Sequence, residues 1–311
     1  MEIEVKCKVL SATFQEEKGF LGGPHKIEFD ICHPSLIHVL IEQIGVRKIA
    51  IISESEITVK ELYKIFSRVE KLLMLFDGKF FSLHELTFSD SNSTSQEQLM
   101  SYAHHCLNQR LSYYRSSDFC LCEKNKLVSF EKVIDANLFQ KWDTLIDELD
   151  VVHQVFLYAL CDNGQPVDIK CAFLIELAEP LIEIIKLKKY YFSSLDPEDR
   201  KTTLKNCLDA IITKYGEDIF QEELLKNPSK FLQVLVNSRV RIMHIKRNQK
   251  GDYFNAVESV AYSAKIYLMY RRIVFELLNI NESEYLDNLH NSVRYWNQWN
   301  DVVKRFLNKL I

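Results

Sequence analysis

Residues 239–250, RVRIMHIKRNQK, place five cations (Arg239, Arg241, Lys246, Arg247 and Lys250) around His244 with no carboxylate among them. The whole chain carries a formal net charge of −4, so this segment inverts the average locally. Imidazole takes and gives protons near neutral pH, and guanidinium forks hold charge that builds on phosphoryl oxygens. Those are the groups phosphodiester chemistry requires. On an unbroken helix Arg241, His244 and Arg247 fall at i, i+3 and i+6 along one stripe. Arg239 then lies about 140° round the axis from His244 and meets it only if the helix frays or bends there. The competing reading is a basic helix end that is simply solvated.

Other chemistry-bearing residues are sparser. Glu176 and Glu179, in FLIELAEPLIEII, can orient an arginine or form a helix's polar face. His104, His105 and Cys106 with Cys120 and Cys122 offer ligand types for zinc, but CxC lacks the usual CxxC knuckle spacing, and no metal site is assigned. Tyr113, Tyr114 and Arg115, and likewise Tyr190 and Tyr191, are candidates for base stacking against a background of abundant core aromatics. Trp296 and Trp299 read as a packing surface. No glycine arrangement fits a phosphate-cradling loop, and no cofactor is implied.

The elements that must position these groups change character along the chain. Ile3, Val5, Cys7 and Val9 alternate with charged residues, a first strand; Ile27, Phe29 and Ile31 do the same and suit its partner. The glycines and proline of residues 19–24 form the loop between them. A third strand is expected over 46–53. Thr58 and Glu61 make a capping box for a helix with Leu62, Ile65, Phe66, Val69, Leu72, Leu73 and Phe76 inward, ended by Asp77-Gly78. A strand over 79–88 leads to the polar loop 89–98. Residues 1–135 therefore read as a small α+β domain.

From residue 136 the period becomes helical, and 136–311 read as an all-α bundle. Helices are expected over 138–161, over 171–192 with a kink at Pro180, from the Asp196-Pro197-Glu198 start to Gly216, and over 229–247. Two more follow over 253–278, with Val257 inward, and over 282–310. The fold class is α+β: a mixed N-terminal domain, then helices.

Only 8 Gly and 6 Pro in 311 residues exclude a collagen-like, low-complexity or turn-dense all-β chain. The N-terminal residues lack the pattern of a secretory signal, and no apolar run reaches the length of a membrane span. Eight irregularly spaced cysteines suit free thiols, so a cytoplasmic protein without membrane contact is expected.

The order of elements over residues 140–280 resembles a HEPN domain of the ApeA-like branch. An early helix bears Glu176 and Glu179, a variable helix follows, then NSRVRIMH closes a helix with an Rx4H block, and a long apolar helix comes next. Arg239 and His244 match the two fixed positions of the family motif, and Val240 stands where Asn is usual. The resemblance implies a metal-independent endoribonuclease, a toxin or anti-phage effector that cleaves cellular RNA. It implies a homodimer that joins two motifs in one composite site, with an unknown activator or antitoxin as a further partner. His244 would assist attack by the RNA 2′-OH, Arg239 would stabilise the phosphate, and Glu176 and Glu179 would support them. Arg241, Lys246, Arg247 and Lys250 would hold backbone phosphate. The alternative is a catalytically silent module binding nucleotide, RNA or a partner.

Overall fold

The computed structural model describes residues 5–14, 25–32, 35–44, 46–80, 82–113, 126–160, 165–187, 203–246 and 250–311. The loop expected over 19–24, the Asp196-Pro197-Glu198 helix start, Tyr114, Arg115, Cys120, Cys122, Tyr190, Tyr191 and Arg247 lie outside them. The chain divides into two compact units, Met1–Leu121 with Val128–Ile146, and Cys122–Leu127 with Asp147–Ile311.

The first unit is built on five antiparallel strands, β1 (Lys6–Phe14), β2 (His25–Cys32), β3 (Leu36–Ile44), β4 (Val46–Thr58) and β5 (Leu83–Ser89), in the order β2-β3-β4-β1-β5. The expected pairing of the first two strands does not occur: β1 lies between β4 and β5, and β2 is an edge strand on β3. β3 was not expected at all. The register along β1 jumps from Cys7 opposite Ile57 to Val9 opposite Ile52. Beyond that jump Leu10, Ala12 and Phe14 are buried, and Val9 is not among the core residues.

Helix α1 (Val59–Asp77) covers the buried sheet face, and its inward stripe is the one expected. Thr58 and Glu61 form the reciprocal capping box, and Gly78 ends the helix in the left-handed conformation at φ 65°. α2 (Gln96–Tyr113) packs on β5, and α3 (Phe130–Val133) is a single turn. α4 (Ala136–Leu160) bends at Asp150, φ 37° and ψ −117°. Its first turns belong to the first unit, where Trp142 Nε1 donates to the Arg68 carbonyl at 2.8 Å.

The described part of the second unit is helical. After α4 come α5 (Val167–Glu176), α6 (Ala178–Leu187), α7 (Leu204–Ile211), a π-turn over Ile212–Gly216, α8 (Gln221–Lys226), α9 (Pro228–Met243) and α10 (Ala256–Leu277). α10 is buried along most of its length and packs on α5 and on the last helices. Val257, expected inward, is exposed. The single long helix expected over 282–310 is instead α11 (Leu286–Gln298) and α12 (Val302–Leu307) with short 3-10 turns, broken where Asn300 and Asp301 take φ 49° and 53°. Aromatic stacking fills the core: Phe254 lies on Tyr262 at 4.3 Å and Phe156 on Tyr270 at 3.8 Å. No helix among the described residues is long and apolar enough to cross a membrane.

Candidate active site at the end of helix α9

Helix α9 begins where Asn227 accepts from the Lys230 N–H and Pro228 occupies the first turn, a position that lacks an intrahelical donor role. Phe231, Leu232, Val234 and Leu235 anchor one face in the core. After Val236 come two polar, buried residues, and both hold the returning chain. Ser238 Oγ donates to the Val234 carbonyl at 2.8 Å and accepts the Phe254 N–H at 2.9 Å. Asn237 Nδ2 donates to the Asp252 carbonyl at 3.0 Å. Gly251 makes that return possible: its φ is +88°, and a Cβ there would stand 2.9 Å from Asn237 Nδ2. Arg239 thus follows a clamped pair of residues.

The helix stops sooner than the stripe through Arg247 requires. His244 caps it at φ −102° and ψ 8°. The Ile245 N–H reaches the Ile242 carbonyl at 3.2 Å and the Lys246 N–H reaches the Arg241 carbonyl at 3.0 Å, the paired bonds of a Schellman closure. That closure needs a left-handed residue, normally glycine; here it is Ile245 at φ 50°. Every other non-glycine residue with positive φ among those described is Asp or Asn. A β-branched side chain in this region costs about 1–2 kcal/mol. Ile245 is also 85% exposed, so burial returns nothing.

At this terminus Arg239 and His244 meet. Arg239 Nη1 lies 3.1 Å from His244 Nε2. Guanidinium has no acceptor, so Nη1 donates, and His244 in this contact is neutral with its lone pair on Nε2. On the other edge of the fork, Nε and Nη2 both donate to the Glu176 carboxylate, Nη2 at 2.5 Å. Glu176 owes its place to Pro180. The proline ring clashes with the carbonyl four residues back, and α5 ends at Glu176 rather than running through. The bend expected at Pro180 therefore falls one turn earlier.

The Glu176 hydrogen bonds hold the Arg239 guanidinium above even its ordinary value, so its charge is permanent. Glu179, exposed near the start of α6, is raised by partial desolvation and by Glu176, with Arg239 opposing. Arg241 is placed differently: its guanidinium carbon sits 4.4 Å from the centroid of the Tyr253 ring, and Nη1 is 4.0 Å from Asp168 Oδ2 on α5. Lys246 and Lys250 are exposed.

Sequence reasoning missed Asp168, Tyr253 and Ile245. Tyr253 carried a usable signal, an aromatic beside the basic run; the other two depend on tertiary placement. On α2, His104 and His105 are exposed while Cys106 is buried, and burial pushes its thiol up to about 11. No group of three metal-ligating side chains gathers among the described residues. Trp296 is buried against Trp299, ring centroids 5.4 Å apart. Comparison with family models, curated proteins and solved structures found no match to the chain.

Proposed function

We propose that the protein is a metal-independent endoribonuclease of HEPN type, with the Arg239–His244 pair at its centre. The observation that carries this reading is the 3.1 Å contact between two side chains five positions apart, achieved by ending α9 at His244. Glu176 grips one edge of the guanidinium, so two of its five N–H groups stay free for a phosphate. Glu176 and Glu179 act as positioning groups. Lys246 and Lys250, with Arg247, hold neighbouring backbone phosphates.

In the reaction, Arg239 Nη1 turns from His244 Nε2 to the phosphate, and the Nε2 lone pair so released takes the proton of an RNA 2′-OH as O2′ attacks the adjacent phosphorus. The P–O5′ bond breaks and the leaving oxygen takes up a proton, which His244 of a second copy supplies in a composite dimer site. The products are a 2′,3′-cyclic phosphate and a 5′-hydroxyl, and DNA is no substrate because it lacks the attacking group. Such a nuclease would act as a toxin or anti-phage effector, switched on by an unknown activator or held in check by an antitoxin. A second reading, a catalytically silent binding module, is favoured by one observation: Glu176 already occupies the carboxylate-sized edge of Arg239 where an anion would dock. Incubating total RNA with protein in EDTA separates the two. The first reading predicts cutting that His244→Ala reduces by about 10²–10⁴-fold. No cutting by either protein, with RNA still bound, supports the second.

A further inference from the structure

Within the 239–250 segment, Arg241 lies over an aromatic ring. Its guanidinium carbon lies 4.4 Å from the Tyr253 ring centroid, and Asp168 Oδ2 stands 4.0 Å from Nη1. The carboxylate offsets the charge a phosphate would seek, and the ring holds the guanidinium group against one face. The side chain is still 36% accessible, so a ligand can reach it beside the ring. A guanidinium of this kind presents a flat, weakly hydrated surface. Nucleobases stack on such surfaces, as they do on aromatic rings.

The placement fits one nucleotide. Arg241 and His244 are three residues apart on the last turn of α9, and side chains so spaced have Cβ atoms ~5–6 Å apart. Side chains rooted this close can be met by one nucleotide, its base on Arg241 and its phosphate at His244. Lys246, by contrast, is exposed with no carboxylate pairing, which suits backbone contact. The two cations are built for different parts of the same ligand.

We infer that Arg241 stacked on Tyr253 is a nucleobase subsite: an unpaired base lies flat on the open face of the guanidinium while the adjoining phosphate reaches Arg239 and His244. This rests on the reading of the site as one that handles RNA. It adds that the substrate is single-stranded at the cut, because a paired base would have to give up its pair and its stack, a cost of a few kcal/mol, to lie on Arg241. It also gives a preference for purines, which offer the larger stacking face.

The test uses the full chain and 2′-fluoro oligonucleotides, which cannot be cleaved, of adenine, of uracil and of abasic sugar-phosphate, across a salt series. Arg241→Lys keeps the charge and removes the plane; Tyr253→Leu removes the support; Lys246→Ala is the phosphate control. Circular dichroism checks that each variant is folded. The expected result is a loss of about 10-fold in adenine-oligomer affinity for Arg241→Lys, a smaller loss for uracil, and none for the abasic chain. The slope of log affinity against log salt stays unchanged in that variant but falls by about 1 in Lys246→Ala. If Arg241→Lys binds all three oligomers as the wild type does, or weakens the abasic chain equally, the subsite is overturned. Metal-independent, His244-dependent cleavage measured beside it leaves the nuclease reading standing in that event. Wild-type protein that binds none of the oligomers and cuts no RNA overturns both.

Discussion

The Lys265–Glu223 pair and the Arg239–Glu176 pair each set one carboxylate against one cation in the helical unit, the first fully buried and the second partly exposed. Lys265 Nζ and Glu223 Oε1 are 2.6 Å apart and neither side chain has any exposure. Tyr262 OH donates to the same oxygen at 2.8 Å, and Lys265 also donates to Asn297 at 3.0 Å. The cluster joins α8, α10 and α11, and its ammonium has Phe220 and Tyr262 rings beside it. Burial pulls the Lys265 ammonium down while Glu223 pushes back, the signature of a charge kept in the core by its partner. At the end of α9 the carboxylate engages one edge of its cation, a neutral imidazole accepts from another N–H, and donors are left over. A network buried between helices fixes them; one that reaches solvent with donors left over has something to offer a ligand. Strong charge pairing is therefore not by itself the mark of a site.

This contrast breaks most visibly at Glu223. Glu223→Ala leaves Lys265 buried without its carboxylate and is expected to cost about 3–5 kcal/mol. Glu176→Ala, at the half-exposed pair, is expected to cost under about 1 kcal/mol. Urea unfolding followed by circular dichroism compares them, and equal losses would erase the distinction. Next in size is Gly251→Ala. A left-handed alanine whose Cβ meets Asn237 should lose about 1–3 kcal/mol, read as a lower urea midpoint with unchanged slope. Its effect is at the clamp behind Arg239, so a silent substitution would mean that the clamp is slack. The smallest effect has the opposite sign. Ile245→Gly relieves the left-handed strain and should stabilise by about 1 kcal/mol in the same assay. A loss there would show that the closure around His244 is unstrained.

What the sequence made legible was local. The Thr58–Glu61 box, the stripe of α1 and its glycine stop are encoded within one element, and the structure repeats them. Strand β3 was missed because LIHVLIEQI is apolar on both faces, so no clean alternation marks it. The pairing of β1 with β4 and β5 is a choice among distant partners that periodicity does not record. The break at Asn300 and Asp301 came from two left-handed residues inside a pattern that otherwise reads as continuous helix.

The candidate site divides the same way. Arg239, His244 and Glu176 were visible as residue types, and the need for a bend between the first two followed from helical geometry. The departure lies at His244 itself, φ −102° at the helix end, and the left-handed isoleucine that closes the helix behind it runs against local preference and has no sequence signature. Asp168 and Tyr253 reach Arg241 only through the packing of α5 and the return of the chain from Gly251. Local grammar located the candidate pair; tertiary structure decided which cation meets which partner.

The central claim, that His244 with Arg239 activates a ribose hydroxyl, is tested most directly by paired oligonucleotides of one sequence, one all-ribose and one all-deoxy, incubated with protein in EDTA. The account predicts that only the ribose strand is cut, that its fragments end in 2′,3′-cyclic phosphate, and that His244→Ala slows the cut by at least about 100-fold while urea stability stays within about 0.5 kcal/mol of wild type. Cleavage of the deoxy strand, or cleavage by His244→Ala at the wild-type rate, would contradict it.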